Sequence, residues 1–380
     1  MDRETTWRER AEKLVNRVNL AFPNPEFENW DLCEELLLSA TSICEQIQHF
    51  SINIEIASKL LHRVAFYLTE KGEYIKSESL YLESIDIKEK QHYYTDISVS
   101  ISNLAGLYLA KGKYNLVEPL FQRSIMLDEK YLGENHYYTT PSLLGLAELY
   151  RTQGKYEKAM LLLQKSLAII ENSLGQNHPQ FAQCLNNQAG IYHDQGKYSQ
   201  AEELYKQSIK IREKIFKENH PKIAETLYNL GVLYREKNKF KQAEYLLERS
   251  FVILENSLGK THPRIGGLLY NLAELYDVQG KYEQAESSYQ KSLSILEKAL
   301  GKDHIEVAVC LHGLAIFFQM QKEHEQALPL YQRSLSILES TLGENHKNTK
   351  RVRLNYKFFL IIRNTKNITN QAIRLVKSFL

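Results

Sequence analysis

Six histidines, His136, His178, His220, His262, His304 and His346, recur every 42 residues, and so regular a set of metal-ligating side chains first suggests a ladder of ions. A zinc site needs about four ligands converging on one ion. One histidine per period, with no cysteine or carboxylate at ligand spacing, does not supply them. Pro179, Pro221 and Pro263 follow three of these histidines at the position where proline opens a helix. The ladder therefore reads as structural, a loop residue at the start of each helix pair, and neither metal nor cofactor is expected. Tyrosine is abundant, at 24 residues. A stacking surface for single strands would interleave these rings with basic residues on one face, and they are not so interleaved. No specific nucleic-acid partner is expected. Nor is there a GxSxG, an HExxH, a Gly-rich phosphate loop or a Cys–His pair at plausible spacing, so no catalytic residue recommends itself.

A second periodic residue is more informative. Asn103, Asn187, Asn229, Asn271 and Asn355 occupy one column, which lapses at Gly145 and Gly313. An amide offers a donor and an acceptor together, which matches the backbone of an extended peptide. The other reading is that these amides satisfy hydrogen bonds between helices.

Both columns belong to a repeating unit, seen best from Leu268 to His304. Leu272, Leu275 and Tyr276 follow the spacing of one helix face, and Gln279-Gly280-Lys281 interrupts it. Ala285, Tyr289 and Ser292 resume the spacing, Leu293 and Leu296 extend it, and Leu300-Gly301 ends the second helix. Ala273 and Ala285 are small where two backbones must approach. One such hairpin cannot bury its own apolar face, so the units must stack.

These residues resemble the tetratricopeptide repeat, in the 42-residue form of kinesin light chain. The small residue of the first helix is Ala105, Ala147, Ala189, Gly231, Ala273 and Ala315, and the aromatic after it is Tyr108, Tyr150, Tyr192, Tyr234, Tyr276 and Phe318. The turn glycine is Gly72, Gly112, Gly154, Gly196 and Gly280, replaced by Asn238 and Lys322. The match runs from about Asn53 to His346. The resemblance implies an all-α superhelix of antiparallel helix pairs: a short repeat over 51–92, then repeats over 93–136, 137–178, 179–220, 221–262, 263–304 and 305–346. Residues 1–50 read as a degenerate capping pair, and 347–380 as a partial repeat with a basic capping helix.

In this family the non-packing side chains of each first helix line a concave groove where partners bind. The resemblance thus implies a protein or peptide partner held by Asn103, Asn187, Asn229 and Asn271, and by Asn186, Tyr228 and Tyr270 one residue earlier. Glu148, Arg151, His193, Arg235, Glu274 and Asp277 lie further along the same helices. The implied function is a non-catalytic scaffold or adaptor. Residues 1–50 also resemble the region after the NTPase module of bacterial NB-ARC and NACHT-type proteins, which implies an alternative, the detached sensor half of such a signalling system. No phosphate-binding loop is present, so that NTPase would be a separate chain.

The net charge of +2 conceals an asymmetry. Residues 347–380 hold nine Lys or Arg and no acid, leaving residues 1–346 at −7. The basic end suits an acidic partner or an anionic surface. Phe358-Phe359-Leu360-Ile361-Ile362 is apolar on more than one face. Asn364-Thr365-Lys366-Asn367 is expected to break the helix begun at Lys347, and Ile368 to Leu380 to form a final helix. At the other end, Trp7, Ala11, Leu14, Val15 and Val18 are expected to line one helix face. Four unpaired cysteines and no membrane-spanning apolar run point to a cytoplasmic protein in one elongated domain.

Overall fold

The computed structural model describes the backbone over residues 3–50, 55–92 and 94–379, and side chains over 9–47, 55–92 and 96–363. The side chains of Trp7 and of Asn364 onward lie outside these. The described chain is all-α. A first pair, α1 (Arg3–Ala21) and α2 (Trp30–Phe50), precedes α3 (Glu55–Glu70) and α4 (Tyr74–Lys90), then α5 (Tyr94–Ala110) and α6 (Tyr114–Leu132). Next come α7 (Thr140–Thr152), α8 (Tyr156–Ser173), α9 (Pro179–Asp194), α10 (Tyr198–Ile215), α11 (Pro221–Glu236) and α12 (Phe240–Leu258). The last five are α13 (Pro263–Val278), α14 (Tyr282–Leu300), α15 (Ile305–Met320), α16 (His324–Leu342) and α17 (Lys347–Phe379).

Packing divides the chain into two compact units, Met1–Gly259 and Lys260–Leu380, where the repeats alone suggest one continuous domain. Successive pairs stack on their neighbours, and within the first unit Phe27, near the N-terminal end, also meets the His220 ring edge-on with centroids 4.9 Å apart. Within the first unit, α3 packs on α5, α5 on α7, α7 on α9 and α9 on α11, while the second helices do not approach one another to that degree. The first helices therefore line the inside of the curve. In the second unit α13 packs on α15 in the same way.

Each repeat is fixed by the same few devices. From α3 to α15, the second residue after each first helix turns left-handed, and its C-terminal neighbour donates back into the helix, as Lys155 N–H does to the Tyr150 carbonyl at 2.8 Å. Asn238 and Lys322, which replace the turn glycine, hold the same left-handed backbone at φ 56° and 66°. The small columns, Ala105, Ala147, Ala189 and Ala273 against Ala159, Ala201, Ala243 and Ala285, are fully buried or nearly so. A serine on the second helix donates to a carbonyl of the first, 26 residues back. Ser84 reaches Ser58, Ser124 reaches Ser98, Ser208 reaches Ala182, Ser250 reaches Ala224 and Ser292 reaches Gly266, all at 2.7 to 2.8 Å.

All six ladder histidines cap helices. In each, Nδ1 accepts the backbone N–H two residues on, at 3.1 to 3.3 Å. That hydrogen bond satisfies one of the orphan donors of the first turn and requires the ring to be neutral at Nδ1. Among the described residues no group of histidine, cysteine and carboxylate side chains could hold a metal ion.

Two expectations need correction. Leu14 is exposed, and the buried face of α1 runs instead through Val15 to Phe22, whose ring meets Tyr67 edge-on. The expected break at Asn364-Thr365-Lys366-Asn367 does not occur, because α17 runs unbroken from Lys347 to Phe379. Asn, Thr and Lys each disfavour a helix by less than about 0.7 kcal/mol, and neither Gly nor Pro is present to end it. Moreover, Lys357 stands where every preceding repeat has Ala or Gly, so no second helix could pack closely there.

Candidate peptide-binding face

The inner face of the first unit is a set of polar links between successive first helices. Arg151 on α7 grips Glu148 with two hydrogen bonds, at 2.8 and 2.7 Å, and reaches Asp194 on α9 at 2.6 Å. Burial works against the charge of this guanidinium, and the two carboxylates outweigh it, raising its pKa above the ordinary value. One step on, His193 on α9 pairs with Glu236 on α11 at 2.9 Å, and that hydrogen bond lowers the Glu236 pKa. Both links join residues 43 positions apart.

The asparagines lie beside them. Asn229 Nδ2 on α11 donates to Asn186 Oδ1 on α9 at 3.1 Å. Gln183 donates to Asn187 at 2.8 Å and to Glu225 at 3.1 Å. Asn186 is 4% exposed, whereas Asn187, Tyr228, Asn229 and Arg235 are half-buried. Asn103 is half-buried on α5. Asn186, one residue before the column, thus braces adjacent helices, and Asn187 remains partly open.

Beneath this patch lies Arg212 of α10, 1% exposed. It donates to the Lys222 carbonyl, to Thr226 Oγ1 at 2.7 Å and to Gln183 Oε1, and it faces Glu225 at 3.8 Å. Its burial lowers its pKa, with Glu225 acting in opposition. The corresponding residue is Leu254, Leu296 and Leu338 in later repeats and Ile170 in the one before, but Lys88 on α4 and Asp128 on α6, and these two are also buried. Lys88 Nζ is held by the Asp96 carbonyl and Ser100 Oγ, at 3.0 and 2.8 Å.

In the second unit, the Tyr270 hydroxyl donates to Glu274 at 2.6 Å. Asn271 is 7% exposed, and its amide donates to the Gly267 carbonyl one turn back at 3.0 Å. Asp277 is half-buried, and burial followed by the Glu274 charge raises its pKa. Asn355 of α17 meets His312 Nε2 at 3.1 Å, the same 43-residue link as Asn229 to Asn186.

The two lapses in the asparagine column have a steric cause. A Cβ at Gly145 would lie 2.1 Å from Phe121 Cζ, and one at Gly313 would lie 2.6 Å from Tyr270 Cε2. In both repeats an aromatic ring fills the space where asparagine stands elsewhere. Sequence reasoning missed Gln183, Asp194, Arg212, Glu225 and Glu236. The legible signal was spacing, since Asp194, Glu225 and Glu236 lie 42 or 43 residues after Arg151, Gln183 and His193.

Helix pairs at a 42-residue period, small residues at their crossings and a polar inner face define an α-helical repeat solenoid. The chain belongs to the tetratricopeptide repeat family, whose model matches residues 96–172, 139–214, 180–256 and 264–340. No curated protein matches it in sequence. Among solved structures it is similar to the TPR-like repeats of a kinesin-light-chain-type protein from Podosopora anserina. That match has 25% identity, covers 53% of this chain and 95% of that one, and has a TM-score of 0.42. Over greater lengths it shares its fold with Rap protein complexed with Competence and Sporulation Factor, at 14% identity, 89% and 100% coverage and a TM-score of 0.59. It also shares it with NprR in complex with its cognate peptide NprX, at 15% identity, 81% and 82% coverage and a TM-score of 0.60. Among the described residues no helix is long and apolar enough to cross a membrane.

Proposed function

We propose that this protein is a non-catalytic scaffold or adaptor that holds an extended peptide segment of a partner on the inner face of α7, α9 and α11. The supporting observation is the half-exposed group formed by Asn187, Tyr228 and Asn229, braced by Gln183, Glu225 and buried Arg212. Amides provide donors and acceptors at fixed positions, as a peptide backbone requires. Arg151, His193, Glu148, Asp194 and Glu236 are already paired with one another, so this stretch favours neither an acidic nor a basic segment strongly. Two structures of the same fold hold Competence and Sporulation Factor or a cognate peptide, and the reading here is of that general kind. The basic end of the chain provides a separate contact for an acidic partner.

Affinity capture from a lysate tests this, with the intact chain beside a variant carrying Asn187→Leu, Asn229→Leu and Asn271→Leu. The variant should lose the partners retained by the parent while keeping its helical circular dichroism, since leucine is a good helix former. Undiminished capture would place the binding site elsewhere.

A further inference from the structure

The α17 helix has two apolar faces. Val352 and Phe359 are buried, with Tyr356 and Leu360 partly so, in clusters that include Leu338, Phe318 and Tyr331. On the opposite side Leu354, Phe358 and Ile361 are 68%, 60% and 60% exposed. At 3.6 residues per turn these three fall on one stripe roughly 120° wide, together with Lys350, Arg351 and Lys357. All three cations are exposed, and their side chains pair with no acid among the described residues. By contrast, Arg353 is held by Glu339 at 2.7 Å and Arg363 by Glu325 at 3.0 Å.

The stripe also has a defined place in the repeat. Leu354, Phe358 and Ile361 stand 42 residues after His312, Ile316 and Gln319, and 84 after Tyr270, Glu274 and Asp277. They therefore continue the inner-face columns of the second unit, and Asn355 makes the same link to α15 that Asn229 makes to α9. Here alone the columns become apolar with cations beside them. An unbroken α17 cannot fold its own C-terminal half back over the stripe.

We infer that the exposed stripe of α17, Leu354, Phe358 and Ile361 flanked by Lys350, Arg351 and Lys357, docks an acidic amphipathic helix of a partner protein. The inference rests on the protein's being an interaction scaffold, and it names the partner chemistry at the C-terminal end. Three apolar side chains spread over about 10 Å match the apolar stripe of a second helix, and the cations match glutamates at its margins. A flat anionic bilayer is the other surface such a stripe could meet, and vesicle retention separates the two.

The test uses the full chain and two labelled synthetic helical peptides with the same leucine stripe, one flanked by glutamates and the other by lysines. The glutamate peptide should bind and the lysine peptide should not. Leu354→Ser with Phe358→Ser should weaken binding about tenfold or more without moving the melting temperature, since both side chains are exposed. Arg351→Glu with Lys357→Glu should reverse the preference toward the lysine peptide. Asn187→Leu with Asn229→Leu should leave this binding intact, which separates its outcome from that of the inner-face proposal. Equal binding of the two peptides, or binding unaltered by the serine variant, would overturn the inference. Two further results would also overturn it: retention on phosphatidylserine–phosphatidylcholine vesicles abolished by the serine variant, or a self-association in sedimentation abolished by it. The first would make the occupant a membrane, the second another copy of this chain.

Discussion

Single residues in this solenoid are placed by what the next repeat needs. Gly145 and Gly313 stand where asparagine is otherwise the rule, because Phe121 and Tyr270 occupy the space. Gly313→Asn should therefore cost about 1–3 kcal/mol, the range for overpacking, in urea unfolding; an unchanged midpoint would mean the ring moves aside freely. Lys322 holds φ 66°, a conformation that costs a non-glycine residue about 1 kcal/mol. Lys322→Gly should recover part of this, raising the melting temperature by a few degrees. The buried Arg212 is a different case. Later repeats carry leucine in its column, but here removal of the guanidinium alone would take away the donor to Gln183 Oε1 and Thr226 and the charge facing Glu225, and breaking one side of a buried charged network costs about 3–5 kcal/mol. Arg212→Leu should therefore lower the melting temperature by several degrees. An unchanged melting temperature would mean that the network contributes nothing to stability.

At the scale of helices, most of the architecture was legible in the sequence. The turn column was readable even at Asn238 and Lys322, because register with the other repeats placed them where the chain must turn left-handed. The histidine ladder was legible as structural, although its capping bond was not, since a ring accepting an amide leaves no spacing signal. The serine-to-carbonyl bonds were missed for a related reason. Serine recurs at a regular interval, but only the packed pair shows which carbonyl it reaches. The continuity of α17 was misread because Asn364-Thr365-Lys366-Asn367 resembles a turn in composition, while the decisive residue, Lys357 in the small column, lies seven positions earlier.

The capping bonds make stability depend on pH. Burial lowers the pKa of His220 from 6.5 to about 4, with Glu28 and Glu70 opposing and Lys222 and Arg212 adding to the effect. His312 likewise falls to about 4 through burial and then the Arg351 charge, and burial lowers His178. A histidine with a depressed folded-state pKa binds more protons when unfolded. Its contribution is thus full above about pH 6.5 and is lost as pH falls toward 4. Urea midpoints should accordingly decrease from pH 7.5 to pH 5. His220→Asn, which retains a capping side chain without the titration, should flatten part of that slope. A midpoint independent of pH in this range would contradict the neutral-cap assignment.

For the molecule as a whole, the first helices inside each curve carry side chains linked from repeat to repeat, and the second helices carry none of the asparagine column. The central claim is that partners are held on that inner face. The most direct test is photo-crosslinking with a benzoylphenylalanine placed at Tyr228, half-buried on α11, or at Tyr245, 64% exposed on α12. Both replacements exchange one aromatic residue for another, so neither should disturb the helices. A captured partner should crosslink from position 228 and not from position 245. Crosslinking from 245 alone would put the partner on the outer helices and contradict the account.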